Sequence, residues 1–142
     1  MTAAKYLSQA DGIRKKIKAR EAMKEEKSSE AEYKGINYDM VGTHGTGGNS
    51  TEAAFISAAD FNAKVEREIA ELQSQLREIK LVIMQVGSGV QELILTLRYI
   101  EGIKLEDVPQ KINYSRSQMF RHYHRALKKV DEILKMRLND IE

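Results

Sequence analysis

The chain has 142 residues, a net charge of +2, 31% charged residues, 6% aromatic residues and a single proline. So many charges and so few aromatics exclude a compact β-rich core and leave one domain, or a small domain joined to an elongated helical element. With no cysteine, a disulfide framework and a thiolate metal site are both excluded.

Residues 3–28 hold no proline and only Gly12 as glycine, among many Ala, Lys and Glu, which are strong helix formers. Leu7, Ala10, Ile13, Ile17 and Met23 give this predicted helix a thin apolar stripe. Its run Arg14-Lys15-Lys16-Ile17-Lys18-Ala19-Arg20 is densely basic. Two readings stand: a second nucleic-acid contact, or a solvated face opposite an acidic partner helix.

Residues 34–52 gather Gly35, Gly42, Gly45, Gly47 and Gly48 with Asn37, Asn49 and Ser50, the composition of a flexible connection. The glycines from Gly42 to Gly48 do not make a phosphate loop. That chemistry needs a lysine followed by Ser or Thr after the last glycine, and here Asn49 follows Gly48.

A second long helix is predicted over 57–86, with Ser57 as its cap and Asp60 in its first turn. Phe61, Val65, Ile69, Leu72, Leu76, Ile79, Ile83 and Val86 recur at alternating steps of three and four, a heptad-like seam. Such a helix is roughly 45 Å long at about 1.5 Å per residue, and its seam must be covered. The expected arrangement is an antiparallel hairpin with residues 3–28, leaving part of the seam for a second copy of the chain. Gly87-Ser88-Gly89 then reads as a hinge.

Beyond it lie three short helical patterns. Val90, Leu93, Ile94, Leu97 and Ile100 mark one buried face, ended by Gly102. Leu105, Val108 and Ile112 mark a second. Pro109 lacks an amide donor and belongs near a helix start, so this helix should begin late, with Asp107 at its cap. Asn113 suits a left-handed turn. Ser115 and Gln118 then form the signature of a capping box. Met119, Tyr123, Ala126, Leu127 and Val130 give the third helix its inward face, and Ile133, Leu134 and Leu138 extend the periodicity. Two short helices across a tight turn make a helix-turn-helix, with residues 116–127 as the recognition helix.

Charge agrees with that reading. From Lys111 to Lys129 there are six basic residues and no Asp or Glu, which leaves −4 for the remainder of a chain whose total is +2. Basic charge concentrated on one short element is the footprint of phosphate binding.

The residues Leu97-Arg98-Tyr99-Ile100-Glu101-Gly102, Tyr114-Ser115-Arg116-Ser117-Gln118 and Arg125-Ala126-Leu127 resemble region four of bacterial sigma factors. They are more similar still to small phage late-gene transcriptional regulators of the ArpU/RinA type. The resemblance covers roughly residues 90–130, and Pro109 departs from it. It implies an all-α protein, a helical hairpin followed by a sigma-region-four-like module, that regulates phage or prophage transcription and contacts host RNA polymerase.

On this reading the partner is double-stranded DNA. Arg116, Ser117, Gln118 and Arg121 contact base edges, while Lys111, Ser115, Arg125 and Lys128 hold phosphates. Phe120 is either a core residue or a contact for a thymine methyl, and Tyr114 a core residue. His122 and His124 are two apart on a helix, so they diverge and cannot chelate together; each is expected to face solvent or phosphate. No metal, cofactor or catalytic constellation is expected. The absence of an apolar leader or of about 20 consecutive apolar residues places the expected location in the cytoplasm. Two other classes fit the same layout. One is a small-terminase-like packaging protein, which would form a ring of eight or more. The other is a coiled-coil adaptor, which would bind no duplex.

Overall fold

A computed structural model describes the backbone of residues 1–41 and 47–141 and the side chains of residues 1–24 and 57–139. The described residues are all-α, with five α-helices and no strand: α1 (Ala3–Val41), α2 (Gly47–Met84), α3 (Gly89–Leu95), α4 (Val108–Ile112) and α5 (Arg116–Ile141). The expected fold class holds, and α1 and α2 pair antiparallel. Both run further than periodicity predicts. Residues 34–41 and 47–52 are helical rather than a loop, and Ser57 and Asp60 lie inside α2 instead of capping it. A seam pattern does not fix where a helix ends. Residues 42–46, the centre of the glycine-rich stretch, lie outside the described residues.

The chain divides into two compact units, Met1–Arg14 with Ser74–Glu142, and Lys15–Gln73. The division falls within the long helices, and Gly87–Gly89 lies inside the first unit. Gly87 takes a φ of 83°, which ends α2 without side-chain strain.

Within the unit Lys15–Gln73, Arg20 Nε donates to Glu68 Oε2 at 2.6 Å, and Lys24 pairs with Glu66. These pairs have the register of antiparallel helices. They also favour the second reading of the basic run at its far end, where Arg20 faces a carboxylate of α2. Ala58 and Val65 are buried here, while Phe61, Ile69 and Leu72 are half-buried.

Among the described residues the other unit carries the larger core. Ala3, Leu7, Ala10 and Ile13 of α1 are buried, as are Ile79, Val82, Ile83 and Val86 of α2. Asp131 Oδ1 of α5 accepts from the Ala3 backbone N–H at 2.7 Å, so α1 is capped partly by a residue 128 positions away. Arg137 of α5 donates to Glu78 of α2 at 3.2 Å. Burial raises the hydroxyl pKa of Tyr6, and the nearby positive charge of Arg137 opposes that rise.

Between α3 and Gly102 the helix widens into a π-turn, Thr96–Ile100, in which the Glu101 N–H donates to the Thr96 carbonyl at 2.9 Å. A π-turn inserts about one extra residue and rotates the following side chains. Before the π-turn Gln91, Ile94 and Leu95 form the buried stripe of α3, with the expected core residue Leu93 45% exposed beside it, and after the shift Tyr99 is the buried residue. Val90, Leu97 and Ile100 are only half-buried. Gly102 ends the turn at a φ of 75°, as expected, with the Arg14 guanidinium against it. Arg14 also pairs with Asp11, whose other oxygen lies 3.5 Å from Arg98 Nη1. Arg98 in turn lies 5.1 Å from the centre of the Tyr99 ring.

Candidate nucleic-acid interface

The helix-turn-helix is built as its residues dictate. A 3₁₀ turn, Leu105–Asp107, leads into α4, which starts late with Asp107 in the N-cap position and Pro109 in its first turn. Proline's missing amide costs nothing there, because the first amides of a helix have no intrahelical acceptor. The Asp107 side chain makes no capping hydrogen bond. Asn113 closes α4 in the left-handed conformation, at φ 57° and ψ 40°. The Tyr114 N–H donates back to the Pro109 carbonyl at 3.1 Å.

Ser115 then opens α5 with a reciprocal cap. The Gln118 N–H donates to Ser115 Oγ at 3.1 Å, and the Ser115 N–H donates to Gln118 Oε1 at 3.2 Å. Both amides would otherwise lack intrahelical partners. Ser115→Ala should cost about 1 kcal/mol of stability, measured in denaturant melts. No change in the midpoint would show that the cap contributes nothing.

The inward face of α5 consists of Met119, Tyr123, Ala126 and Val130, all buried, and it packs on α3 and α4. Leu127 is only half-buried, a correction to its expected place on that face. Residues 119, 123, 126 and 130 follow one helical stripe, and Leu127 sits at its edge. Tyr123 and Tyr99 join their hydroxyls at 2.6 Å in the interior, tying α5 to the π-turn. Burial first, and this bond second, push the Tyr99 hydroxyl far above its ordinary pKa.

The outward face is where the sequence-assigned residues gather. Helical spacing puts Ser117, Arg121, Arg125 and Lys128 opposite the buried stripe, and all four are exposed. Lys111, Arg116 and Lys129 are exposed as well. Among the described residues none of these six cations forms an ion pair, unlike Arg14, Arg20, Lys24, Arg98 and Arg137. Their charge is free to meet phosphate.

Four assigned residues stand apart from that face. The Arg116 guanidinium lies on the flank, 5.5 Å from the centre of the Phe120 ring. Ser115 and Gln118 are exposed but engaged with each other, so the Gln118 amide nitrogen is the part of that side chain left for a base. Lys111 extends the basic surface from α4.

Tyr114 is half-buried and packs edge-on to His122, with centroids 5.7 Å apart. His122 is therefore a packing residue of the turn, with Nδ1 buried, rather than a solvent-facing one. Phe120 is half-buried beside Tyr123, which favours its core reading. His124 is exposed on the face shared by Ser117, Arg121 and Lys128. The sequence reading left it facing either solvent or phosphate, and the spacing 117, 121, 124, 128 puts it on the candidate face.

No three His, Cys, Asp or Glu side chains among the described residues are grouped to hold a metal ion. No described helix is long and apolar enough to cross a membrane. Neither a curated protein nor a solved structure matches the chain. A family match covers residues 40–131, more than half of the chain, spanning α2 to most of α5. The chain belongs to the DUF1492 family, described as a protein of unknown function.

Proposed function

We propose that this chain binds double-stranded DNA in a sequence-specific way, with the first three turns of α5 in the major groove. One observation carries the reading: behind a capped helix-turn-helix, α5 presents Ser117, Arg121, Arg125 and Lys128 on a single exposed face with no ion pair among the described residues. Arg121 and Ser117 suit base edges, since a guanidinium matches guanine with two donors and a hydroxyl donates or accepts. Arg125, Lys128 and Lys111 suit phosphates, and Arg116 reaches the groove from the helix start. The similarity of residues 90–130 to sigma region four and to phage late-gene regulators supports transcription as the process, with phage or prophage genes as targets. A contact with host RNA polymerase rests on that similarity alone.

The test is titration of the full chain against random duplex DNA over a range of salt. Three cationic phosphate contacts release about three counterions, so the logarithm of affinity should fall against the logarithm of salt with a slope of about −3. A chain that binds no duplex at low salt overturns the proposal and favours a protein-binding adaptor. A ring of eight or more copies would move the reading to DNA packaging. Seam positions Val65, Ile79, Ile83 and Val86 are already buried within the chain, which reduces the apolar surface left for a second copy.

A further inference from the structure

The outward face of α5 contains one side chain with base-reading chemistry that the charge pattern does not reveal. His124 follows Arg121 by three residues and Ser117 by seven, so the three lie along one side of the helix. Its ring is exposed, yet it is not loose. It lies 6.2 Å from the Phe120 ring at a 33° tilt and 5.7 Å from the Tyr123 ring at 58°, both measured between centroids. Tyr123 is itself fixed by its hydroxyl bond to Tyr99. The imidazole makes no hydrogen bond among the described residues. It thus offers free polar atoms on a ring already ordered by packing, and ordering it again on binding costs little.

Resting on the DNA-binding reading above, we propose that His124 is a specificity-determining residue that donates a hydrogen bond to the N7 of one purine in the major groove. A neutral imidazole has one N–H donor and one acceptor. In the major groove every purine presents N7 as an acceptor, and guanine adds O6. Thymine O4 is also an acceptor, but a pyrimidine presents its C5 edge where a purine presents N7, so a donor held at N7 selects purine over pyrimidine at one position. Arg121, one turn nearer the helix start, reads a neighbouring position with its two-pronged donor. Lys128, further along, stays with the phosphates.

The experiment uses the full chain and two variants, His124→Ala and His124→Phe. The phenylalanine keeps a ring against Phe120 and Tyr123 but has no N–H, so it separates packing from hydrogen bonding. Duplexes are selected from a randomised pool by each protein. Affinities are then measured on the wild-type-selected duplex, with each purine in turn replaced by its 7-deaza analogue, which pairs normally but lacks N7.

The wild type should require a purine at one position and lose about fivefold in affinity when that purine is 7-deaza, the loss of one hydrogen bond. Both variants should accept any base there, bind the natural duplex about fivefold more weakly, and ignore the 7-deaza change. Their affinity for random duplex should stay within about twofold, well under that one-bond loss. Equal weakening on selected and random duplexes would make His124 a phosphate contact and overturn the inference. So would a purine preference kept by His124→Phe, or no change in either variant. If the wild type enriches no sequence, the base-reading proposal itself fails. If it enriches one that both variants also recover, only the role of His124 fails.

Discussion

Met119→Ala should lower the stability of the chain by about 2–5 kcal/mol, the usual cost of truncating a fully buried methionine. Met119 is 0% exposed and sits one residue beyond the capping box, where α5 packs against α3 and α4. Val108 of α4, also 0% exposed, belongs to the same core. The loss has two parts: transfer of the thioether chain back to water, and the cavity left between helices that cannot close fully around it. Leu127→Ala is the internal control. A leucine at the edge of the stripe leaves a gap that water fills, so its loss should be clearly the smaller of the two. Urea melts followed by helical circular dichroism give both values. A larger loss for Leu127 than for Met119 would mean that α5 is rotated about its axis relative to this structure, and the outward face would have to be reassigned with it.

The α4–α5 turn was readable because each of its residues has a local reason to be there. Pro109 suits a first turn, Asn113 tolerates positive φ, and Ser115 and Gln118 need only each other. Local chemistry of that kind is independent of the rest of the fold. The α3 core was less readable. A 3.6-residue period selects Leu93, but the π-turn at Thr96–Ile100 belongs to a core that selects Ile94, Leu95 and Tyr99 together. The Asp131 cap on α1 was not readable at all. Nothing near Ala3 or Asp131 in the sequence announces a hydrogen bond between residues 128 positions apart. The interface lies between these cases. Its cations stand out because no carboxylate interrupts them between Lys111 and Lys129. His124 carries no charge signal, and only its place on the helix face identifies it.

Arg121→Ala and Lys128→Ala should fail in different ways, and the difference tests the orientation of α5. Both side chains are exposed on the same face, seven residues apart, or about two turns of helix. On the proposed reading Arg121 lies within the part that enters the groove, where its fork would match guanine O6 and N7. Losing such a bidentate contact costs about 1–3 kcal/mol on the cognate duplex and almost nothing on random DNA. The gap between the two should therefore narrow, with one base position relaxed. Arg116→Ala should act in the same direction, since it removes the other arginine near the helix start; its guanidinium must leave the Phe120 ring to reach a base. On the same reading Lys128 is a point charge further along, where the helix would leave the groove and meet the backbone. Its loss should weaken cognate and random duplexes alike and flatten the salt dependence by about one unit of slope. The measurement is a set of titrations at several salt concentrations on selected and scrambled duplexes. If Lys128→Ala removed the discrimination and Arg121→Ala left it intact, α5 would lie reversed in the groove or outside it. The base-reading role assigned to its first three turns would then be wrong.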